Sequence, residues 1–277
     1  MLLLRSTGKI TLLAYLTLSA TAQHPELRQA LQFAIANQGR EVPGPETMTA
    51  EFDYLQASAS PSEAAEVLPL ARTCVASHND VARRLGLGTF LVVALRPKDG
   101  AALLSGYVDF LGRLLGDSDV GVRGPITAIL SDMQPAPPPS VVPYALAHLD
   151  DKGISERDIL GLAQLLLRAA PHDFSVHRAI LSRVKESPSV QPALWSGLVI
   201  QFGMTLGGSP SEDEQVNEFI GRALSSSQAE VQRAAIGVIS GRRGLVARFA
   251  ANLAQIAADQ NADAPTREAA GQALASK

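Results

Sequence analysis

The sequence predicts an all-α fold built as an α-solenoid, a superhelix of stacked antiparallel helix pairs. Ala accounts for 42 of the 277 residues and aromatic residues for only 5%, a composition that favours helices over strands. Apolar residues recur with helical spacing along most of the chain, in segments of ordinary helix length. An internal repeat relates several of these segments, and repeats of helix pairs are typical of solenoids.

The first 22 residues have the organisation of a secretory signal peptide. Arg5 and Lys9 form a basic start, residues 10–18 are apolar, and residues 20–22 read Ala-Thr-Ala; these three regions in this order are typical of exported proteins. The apolar stretch is shorter than the roughly 20 residues that span a bilayer. We expect export, with Gln23 as the mature N-terminus. The alternatives are an uncleaved N-terminal anchor and a buried first helix.

The charge and cysteine content restrict the partners and the means of stabilisation. Without Arg5 and Lys9, the 24 basic residues become 22 against 27 acidic ones, a formal charge of −5. This balance argues against nucleic acid as a partner, since its binders carry basic patches. Cys74 is the only cysteine, so the chain contains no internal disulfide. Its apolar neighbours predict a small buried side chain, with a reactive thiol or an intermolecular bridge as alternatives.

About a dozen helices are expected, most of them 10 to 18 residues long. The first begins near Pro25, and the spacing of Ser60 and Glu63 predicts a capping box at the start of another. Pro69 is expected to kink or break that helix. Two apolar stretches that resemble strands, residues 90–95 and 198–202, are interpreted as buried helix because each lies in a longer segment of helical period. The same Ser-x-x-Glu spacing recurs twice later, at residues 211–214 and 227–230.

The internal repeat is the most informative pattern. Four segments carry apolar or small residues at a reference position and again four, seven and eight residues later, which places them on one helix face. Polar residues suited to turns and caps stand three and five positions before each reference residue. The reference residues are Ala82, Val122, Val231 and Thr266. The chain between Val122 and Val231 has room for two or three further units, and Val176 is the best candidate for a reference position there.

These segments resemble the HEAT repeat family, whose two-helix units stack into a right-handed solenoid. Residues 117–126 read Asp-Ser-Asp-Val-Gly-Val-Arg-Gly-Pro-Ile, similar to the Asp-x-x-x-x-Val-Arg opening of the second helix of that family. Residues 227–235 and 261–270 look like the same opening. The resemblance covers about half of the mature chain. It implies an architecture of about six helix pairs, from about 40 residues per repeat, and does not identify a ligand.

In the HEAT family, an Asp and an Arg at this spacing form a ladder of hydrogen bonds between neighbouring repeats. The resemblance gives these two roles to Asp117 and Arg123, and the Arg role alone to Arg83 and Arg267. Ser77 and Asn261 replace the Asp in two repeats, where the ladder is expected to be weaker. This resemblance therefore implies a structural role for all these residues.

The repeats also suggest an organisation of the chain and a partner surface. We expect a signal peptide (1–22), a divergent helical region (23–76), HEAT-like repeats (77–134), an extended proline-rich loop (135–140) and further repeats (141–277). The loop is interpreted as a spacer, with a docking site for an aromatic-lined domain as the alternative. Exposed positions beside the apolar stripe are candidates for contact with a partner. They are Thr127, Asp132, Gln232 and Arg233.

No motif indicates catalysis, a metal or a cofactor, and we expect none of the three. The five histidines form no His-Glu-x-x-His, and His172 and His177 would lie on different faces of a helix. Phosphate-binding and nucleophile-elbow motifs do not occur, and Gly86 and Gly88 are only half of a dinucleotide-binding fingerprint. The one local basic cluster, within residues 242–248, is interpreted as a solvated face, with an anionic ligand or a lipid surface as the alternative.

The sequence therefore favours a non-catalytic exported scaffold that presents a concave helical surface to a protein or peptide. One alternative is an enzyme or enzyme accessory built on the same repeats, such as a chromophore-attaching relative of bilin lyases or a protein acting on cell-wall glycans. Another is a structural module of an envelope assembly, held by an uncleaved signal.

Overall fold

The computed structural model describes residues 26–37, 44–184, 188, 191–205 and 214–275, and every regular element within these ranges is a helix. The α-helices are α1 (Glu26–Ala36), α2 (Thr49–Ala57), α3 (Pro61–Val75), α4 (Asp80–Ala94), α5 (Gly100–Leu104), α6 (Val108–Arg113), α7 (Val120–Asp132), α8 (Val142–Leu149), α9 (Glu156–Ala169), α10 (Phe174–Ser182), α11 (Pro192–Thr205), α12 (Glu214–Leu224), α13 (Ala229–Ser240), α14 (Arg243–Arg248), α15 (Ala250–Ala258) and α16 (Ala264–Ala275). Short 3-10 helices cover Pro45–Thr47, Ser105–Tyr107, Leu114–Gly116 and Pro139–Val141. The predicted all-α class is confirmed for the described part of the chain.

Helices α4, α7, α9, α11, α13 and α16 form a series in which each helix contacts the next, and we call them the row helices. They follow one another at nearly even intervals along the chain. Their first residues are Asp80, Val120, Glu156, Pro192, Ala229 and Ala264. The helices α3, α6, α8, α12 and α15 each contact the row helix that follows them in the chain.

Neighbouring row helices run parallel. At the amino-terminal ends of α4 and α7, the Arg83 side chain lies 3.2 Å from Asp119. At their carboxyl-terminal ends, the backbone N–H of Gln134 donates to the carbonyl oxygen of Ala94 at 3.0 Å. The amino-terminal ends of α4 and α7 therefore lie side by side. The same holds for α7 and α9, where Arg168 near the carboxyl end of α9 donates to the carbonyl oxygen of Met133, just after α7, at 3.1 Å.

The predicted repeat positions form the core under the row helices. Val122, Ile126, Ile129 and Leu130 in α7 are at most 2% exposed, so the predicted apolar face of this helix is confirmed. The equivalent positions of the other three segments are also buried, apart from the half-buried Leu274. They are Ala82, Gly86, Thr89, Phe90, Val231, Ala235, Val238, Ile239, Thr266, Ala270 and Ala273.

The stretches that resemble strands belong to helices, as predicted. Residues 90–94 lie in α4, with Leu95 as its C-cap residue, and residues 198–202 lie in α11. Phe90 and Phe202 are fully buried. Buried helices of this kind contain runs of apolar residues because several neighbouring helices cover them.

Two prolines lie in helices where a break or a loop was expected. Helix α3 begins with the predicted Ser60–Glu63 capping box and continues through Pro69 to Val75, so Pro69 does not break the helix. A proline removes one backbone donor, and burial of Leu68 and Ala71 on either side compensates for this loss. The 3-10 helix that starts at Pro139 takes the last two residues of the predicted loop 135–140. Proline fits there because its fixed φ suits a first helical position.

The Ser-x-x-Glu spacing at residues 227–230 does not form a capping box. Helix α13 begins after Gln228, so Ser227 is not its N-cap residue and no side chain caps it. Glu230 instead accepts a hydrogen bond from the Ser196 hydroxyl in α11 at 3.3 Å. The other spacing, at residues 211–214, begins outside the described residues. The predicted signal peptide, Gln23 and Pro25 also lie outside them.

The segment between α7 and α13 contributes two row helices, α9 and α11. The candidate unit at Val176 lies in α10, which contacts α8, α9 and α12. Val176 and Ile180 are buried, and Asp173 caps the helix by accepting a hydrogen bond from the backbone of Ser175. The helical period was thus correct at Val176, but the helix is not one of the row. In the described ranges no helix combines the length and apolar character that a membrane span needs.

Candidate functional site

Polar side chains set the amino-terminal ends of the row helices. Asn79 accepts from the backbone N–H of Val81 at 2.9 Å, and Asp119 accepts from that of Gly121 at 2.8 Å. Ser155 caps α9 in the same way, accepting from the backbone N–H of Asp158 at 3.1 Å. Such caps satisfy backbone donors that have no partner inside the helix. The first turns of α7 and α9, which follow these caps, contain exposed residues.

Among the predicted ladder residues, Arg83 and Asp117 are joined between neighbouring repeats, as the resemblance implies, whereas Arg123 and Arg267 are not joined to a neighbouring repeat. The Asp117 carboxylate lies 3.5 Å from the guanidinium of Arg83 in α4. The Nη1 of Arg123 donates to the backbone carbonyl of Asp117 at 2.7 Å and to that of Ser118 at 3.1 Å. Arg267 makes the same kind of contact, donating to the carbonyl of Ala262. Arg83 therefore links two row helices, while Arg123 and Arg267 each hold the loop before their own helix.

A second link between row helices was not anticipated. The Nη1 of Arg233 in α13 lies 3.1 Å from both carboxylate oxygens of Asp263 and 3.3 Å from the hydroxyl of Thr266. Hydrogen bonds from Thr266 are the main reason that the pKa of Asp263 is lowered, with Arg233 adding to the effect. The candidate contact residue Arg233 is thus engaged in joining α13 to α16.

Three further arginines bind backbone carbonyls at the opposite, carboxyl-terminal ends. Arg96 donates to Ala59 at 2.9 Å, Arg168 donates to Met133 at 3.1 Å, and Arg242 donates to Gly203. Cations favour the carboxyl end of a helix because the last carbonyls carry partial negative charge. These three side chains stabilise the packing between elements that are distant in the sequence.

The predicted basic cluster is divided by its contacts. Arg242 donates to carbonyl groups, Arg248 forms an ion pair with Glu214, and Arg243 is exposed.

The only cysteine is buried. The sulfur of Cys74 lies 3.6 Å from the carbonyl oxygen of Leu31, and burial raises the pKa of the thiol to about 11. A thiol with so high a pKa is poorly nucleophilic at neutral pH.

A cleft of about 690 Å³ lies between the first turn of α7 and the loop that leads into α9. A volume of this size is typical of ligand sites. Val120, whose side chain is 64% exposed, and Pro125 form an apolar part of its wall. Arg123, Lys152 and Arg157 bring positive charge to the cleft.

The acidic and imidazole groups of this cleft are engaged by near neighbours. His148 contacts the carboxylate of Asp151, and the hydroxyl of Ser155 donates to that of Asp158 at 2.9 Å. His148 and Asp151 therefore form a local pair rather than a metal site. In the described ranges, no three His, Cys, Asp or Glu side chains are grouped as ligands for a metal ion.

A smaller cavity of about 200 Å³ continues the cleft along α7 and α9. The two cavities share Gly124, Ala128, Arg157 and Asp158 as lining residues. We call the combined surface the α7–α9 groove. Because α7 and α9 are parallel, the groove extends from the amino-terminal ends of both helices toward Ser131 and Asp132 near the carboxyl end of α7.

Two of the predicted contact residues, Thr127 and Asp132, line this groove. The Thr127 hydroxyl donates to the carbonyl of Arg123 at 2.9 Å, while its methyl group faces Gly161 in α9. Burial raises the pKa of the Asp132 carboxyl, and the nearby charge of Arg168 opposes that shift. The remaining candidate, Gln232, donates to the carbonyl of Leu224 at 3.0 Å and lines a separate cavity.

No protein-family model matches this chain, and no curated protein is similar to it at a significant level.

Proposed function

We propose that the chain is a non-catalytic, exported scaffold with a HEAT-like solenoid architecture, and that its row helices bind a protein or peptide. The observation that carries this proposal is the recurrence of the row helices at nearly even intervals along the chain, each in contact with the next. Solenoids are built in this way, from units that bury their apolar faces against neighbouring units.

Repeated local contacts support the solenoid. Polar side chains five positions before a reference residue accept from the backbone N–H two residues later in three of the four segments: Ser77 from Asn79, Asp117 from Asp119, and Ser226 from Gln228. Ion pairs then link row helices at α4–α7 and at α13–α16. The same chemistry at equivalent places favours a repeated unit over a single irregular bundle.

The groove supports binding as the function. It combines a volume suited to a ligand with side chains that take no part in holding the helices together, such as Lys152 and Arg157. Solenoids commonly bind partners along the surface that their repeated helices form. Export rests on the basic, apolar and small-residue order of residues 1–22.

The function is tested by capture of a partner from the envelope of the native host, followed by reconstitution from purified components. The full mature chain should bind the identified partner with a measurable Kd, and Arg243→Ala, at an exposed position of α14, should bind equally well. Turnover of a cell-wall or chromophore substrate by the purified protein, abolished by one soluble point variant, would overturn the scaffold in favour of the enzyme.

Export is tested separately by sequencing the N-terminus of the protein from its native host. We expect Gln23 as the first residue and recovery from the envelope or the medium. Retention of Met1 in a soluble cytoplasmic fraction contradicts export, whatever the outcome of the binding experiment.

A further inference from the structure

The amino-terminal end of the α7–α9 groove has positive charge available to a ligand. Lys152 and Arg157 are exposed and have no hydrogen-bond or ion-pair partner among the described residues. The nearby carboxylates of Asp117, Asp151 and Asp158 already contact Arg83, His148 and Ser155, respectively. The first turns of α7 and α9 add partial positive charge, because the backbone N–H groups of a helix amino-terminus have no partner inside the helix, and this charge favours anions.

The other end of the groove has the opposite character. The Asp132 carboxylate is half-buried and accepts no hydrogen bond from the described residues. The nearby guanidinium of Arg168 donates to the carbonyls of Ser131, Met133 and Pro135. Ser131 is 3% exposed, and its hydroxyl oxygen is buried without a partner. Polar groups that are partly shielded from water normally have hydrogen-bond partners, so the Asp132 carboxylate, which lines the groove, indicates a site for a donor.

The middle of the groove leaves room for a chain to lie along it. Gly124 is exposed, and a Cβ added to it would meet no atom within 4 Å. Ala128 is the other residue of α7 that both cavities share. Val120 and Asp132 are 12 residues apart, or about 18 Å along a helix. An extended peptide covers that length with five to six residues at about 3.3 Å each.

We propose that the α7–α9 groove binds an extended peptide segment of about six residues, with an acidic side chain beside Lys152 and Arg157 and a Lys or Arg side chain beside Asp132. This proposal rests on the proposed function and specifies the partner and the surface. The ligand amine or guanidinium donates to the Asp132 carboxylate. The carboxylate of the ligand pairs with the two free cations at the other end.

The test uses an array of acetylated and amidated hexapeptides, in which terminal charges are absent. One set has Lys first and Glu last, a second has Glu first and Lys last, and a third has Gln at both ends, with the same mixtures of Ala, Leu and Ser between. The full mature chain should retain one of the charged sets at least tenfold more strongly than the neutral set. Equal retention of all three sets overturns the proposal.

Variants locate the binding. Gly124→Leu places a side chain in the groove at a position where the added Cβ meets no atom within 4 Å, and it should lower retention at least tenfold. Gly237→Leu, at another exposed helical glycine where an added Cβ meets open space, should not lower retention. Arg157→Glu should lower the retention of the favoured charged set to that of the neutral set, with Arg243→Glu as the matched control. Asp132→Asn should also lower the retention of the favoured charged set toward that of the neutral set. Retention by Gly124→Leu and Arg157→Glu equal to that of the wild type overturns the proposal, once circular dichroism shows that both are folded.

The same variants separate this proposal from the proposed function. If a native partner is captured equally by the wild type and by Gly124→Leu, the groove is not its site, and the scaffold function stands. If the array preference holds but the mature chain captures no native partner, the groove proposal stands and the scaffold function is contradicted.

Discussion

The side chain of Arg83 in α4 lies 3.2 Å from that of Asp119, the residue that caps the amino-terminus of α7. The Asp119 carboxylate thus caps the start of α7 and also joins α7 to the preceding row helix, α4. Arg233 and Asp263 repeat this relationship between α13 and α16, at 3.1 Å. The ion pairs lie at the ends of the helices, so they set the register of neighbouring row helices without occupying the groove.

Asp119→Ala should lower the free energy of unfolding by about 1 kcal/mol, the usual cost of losing an N-cap side chain. Arg83→Ala should lower it by less than about 1 kcal/mol, because a solvent-accessible ion pair contributes little. Asp53→Ala, at an exposed position of α2, is the control and should change it by less than about 0.5 kcal/mol. Urea unfolding measures all three. Equal effects of Asp119→Ala and Asp53→Ala contradict the capping role.

Ile126→Ala should lower the free energy of unfolding by about 2–5 kcal/mol, since the side chain is fully buried in α7 and its loss leaves a cavity. Val120→Ala in the same helix removes a side chain that is 64% exposed and should change the stability by less than about 0.5 kcal/mol. A loss below about 0.5 kcal/mol for Ile126→Ala would show that the assigned apolar face is wrong.

Gly237→Ala should stabilise the protein by about 0.5–1 kcal/mol, because a helical glycine is replaced where an added Cβ meets open space. Gly161→Ala should not stabilise the protein in this way, since the added Cβ would lie 2.9 Å from the Thr127 methyl group. Thr127→Ser removes that methyl group and should restore the gain in the double variant. Thermal unfolding of the four variants measures the effect. Equal stabilisation by Gly161→Ala and Gly237→Ala contradicts close packing of α7 against α9.

Asp132→Asn should raise the free energy of unfolding at pH 7. Burial raises the pKa of this carboxyl in the folded protein, so its neutral form stabilises the fold below the unfolded pKa of about 3.9, and this stabilisation is lost as the pH rises through the folded pKa. The variant keeps a neutral side chain at every pH. The variant should therefore have a higher free energy of unfolding than the wild type at pH 7, and this difference should be absent near pH 3. A variant less stable than the wild type at pH 7 contradicts this.

The sequence was sufficient for features that depend on local spacing. The apolar period identified the buried face of α7, and the positions of Asn79, Asp119 and Asp173 marked helix starts, because a cap acts on the backbone two or three residues away. The exclusion of strands followed from the same period. Pro69 shows the limit of this reasoning, since tertiary packing maintains a helix that local chemistry disfavours.

Contacts between helices were harder to predict from the sequence. Arg83 and Arg123 both follow a reference position, but one reaches the next row helix and the other its own loop, and spacing alone does not distinguish them. The role of Arg168 depends on carbonyls of the preceding row helix and its following loop, which are distant in the sequence. The groove depends on how α7 and α9 pack, so Thr127 and Asp132 were identified as candidates while Lys152, Arg157 and Ser131 were not.

Hydrogen exchange of the full mature chain, alone and with its captured and purified partner, tests the central claim most directly, namely that the surface of the row helices α7 and α9 is the binding site. We predict slower amide exchange in residues 120–132 and 151–168 when the partner is bound, with no change in α14 and α15. Protection confined to α14, α15 or other helices outside the row, with residues 120–132 and 151–168 unchanged, would contradict the account.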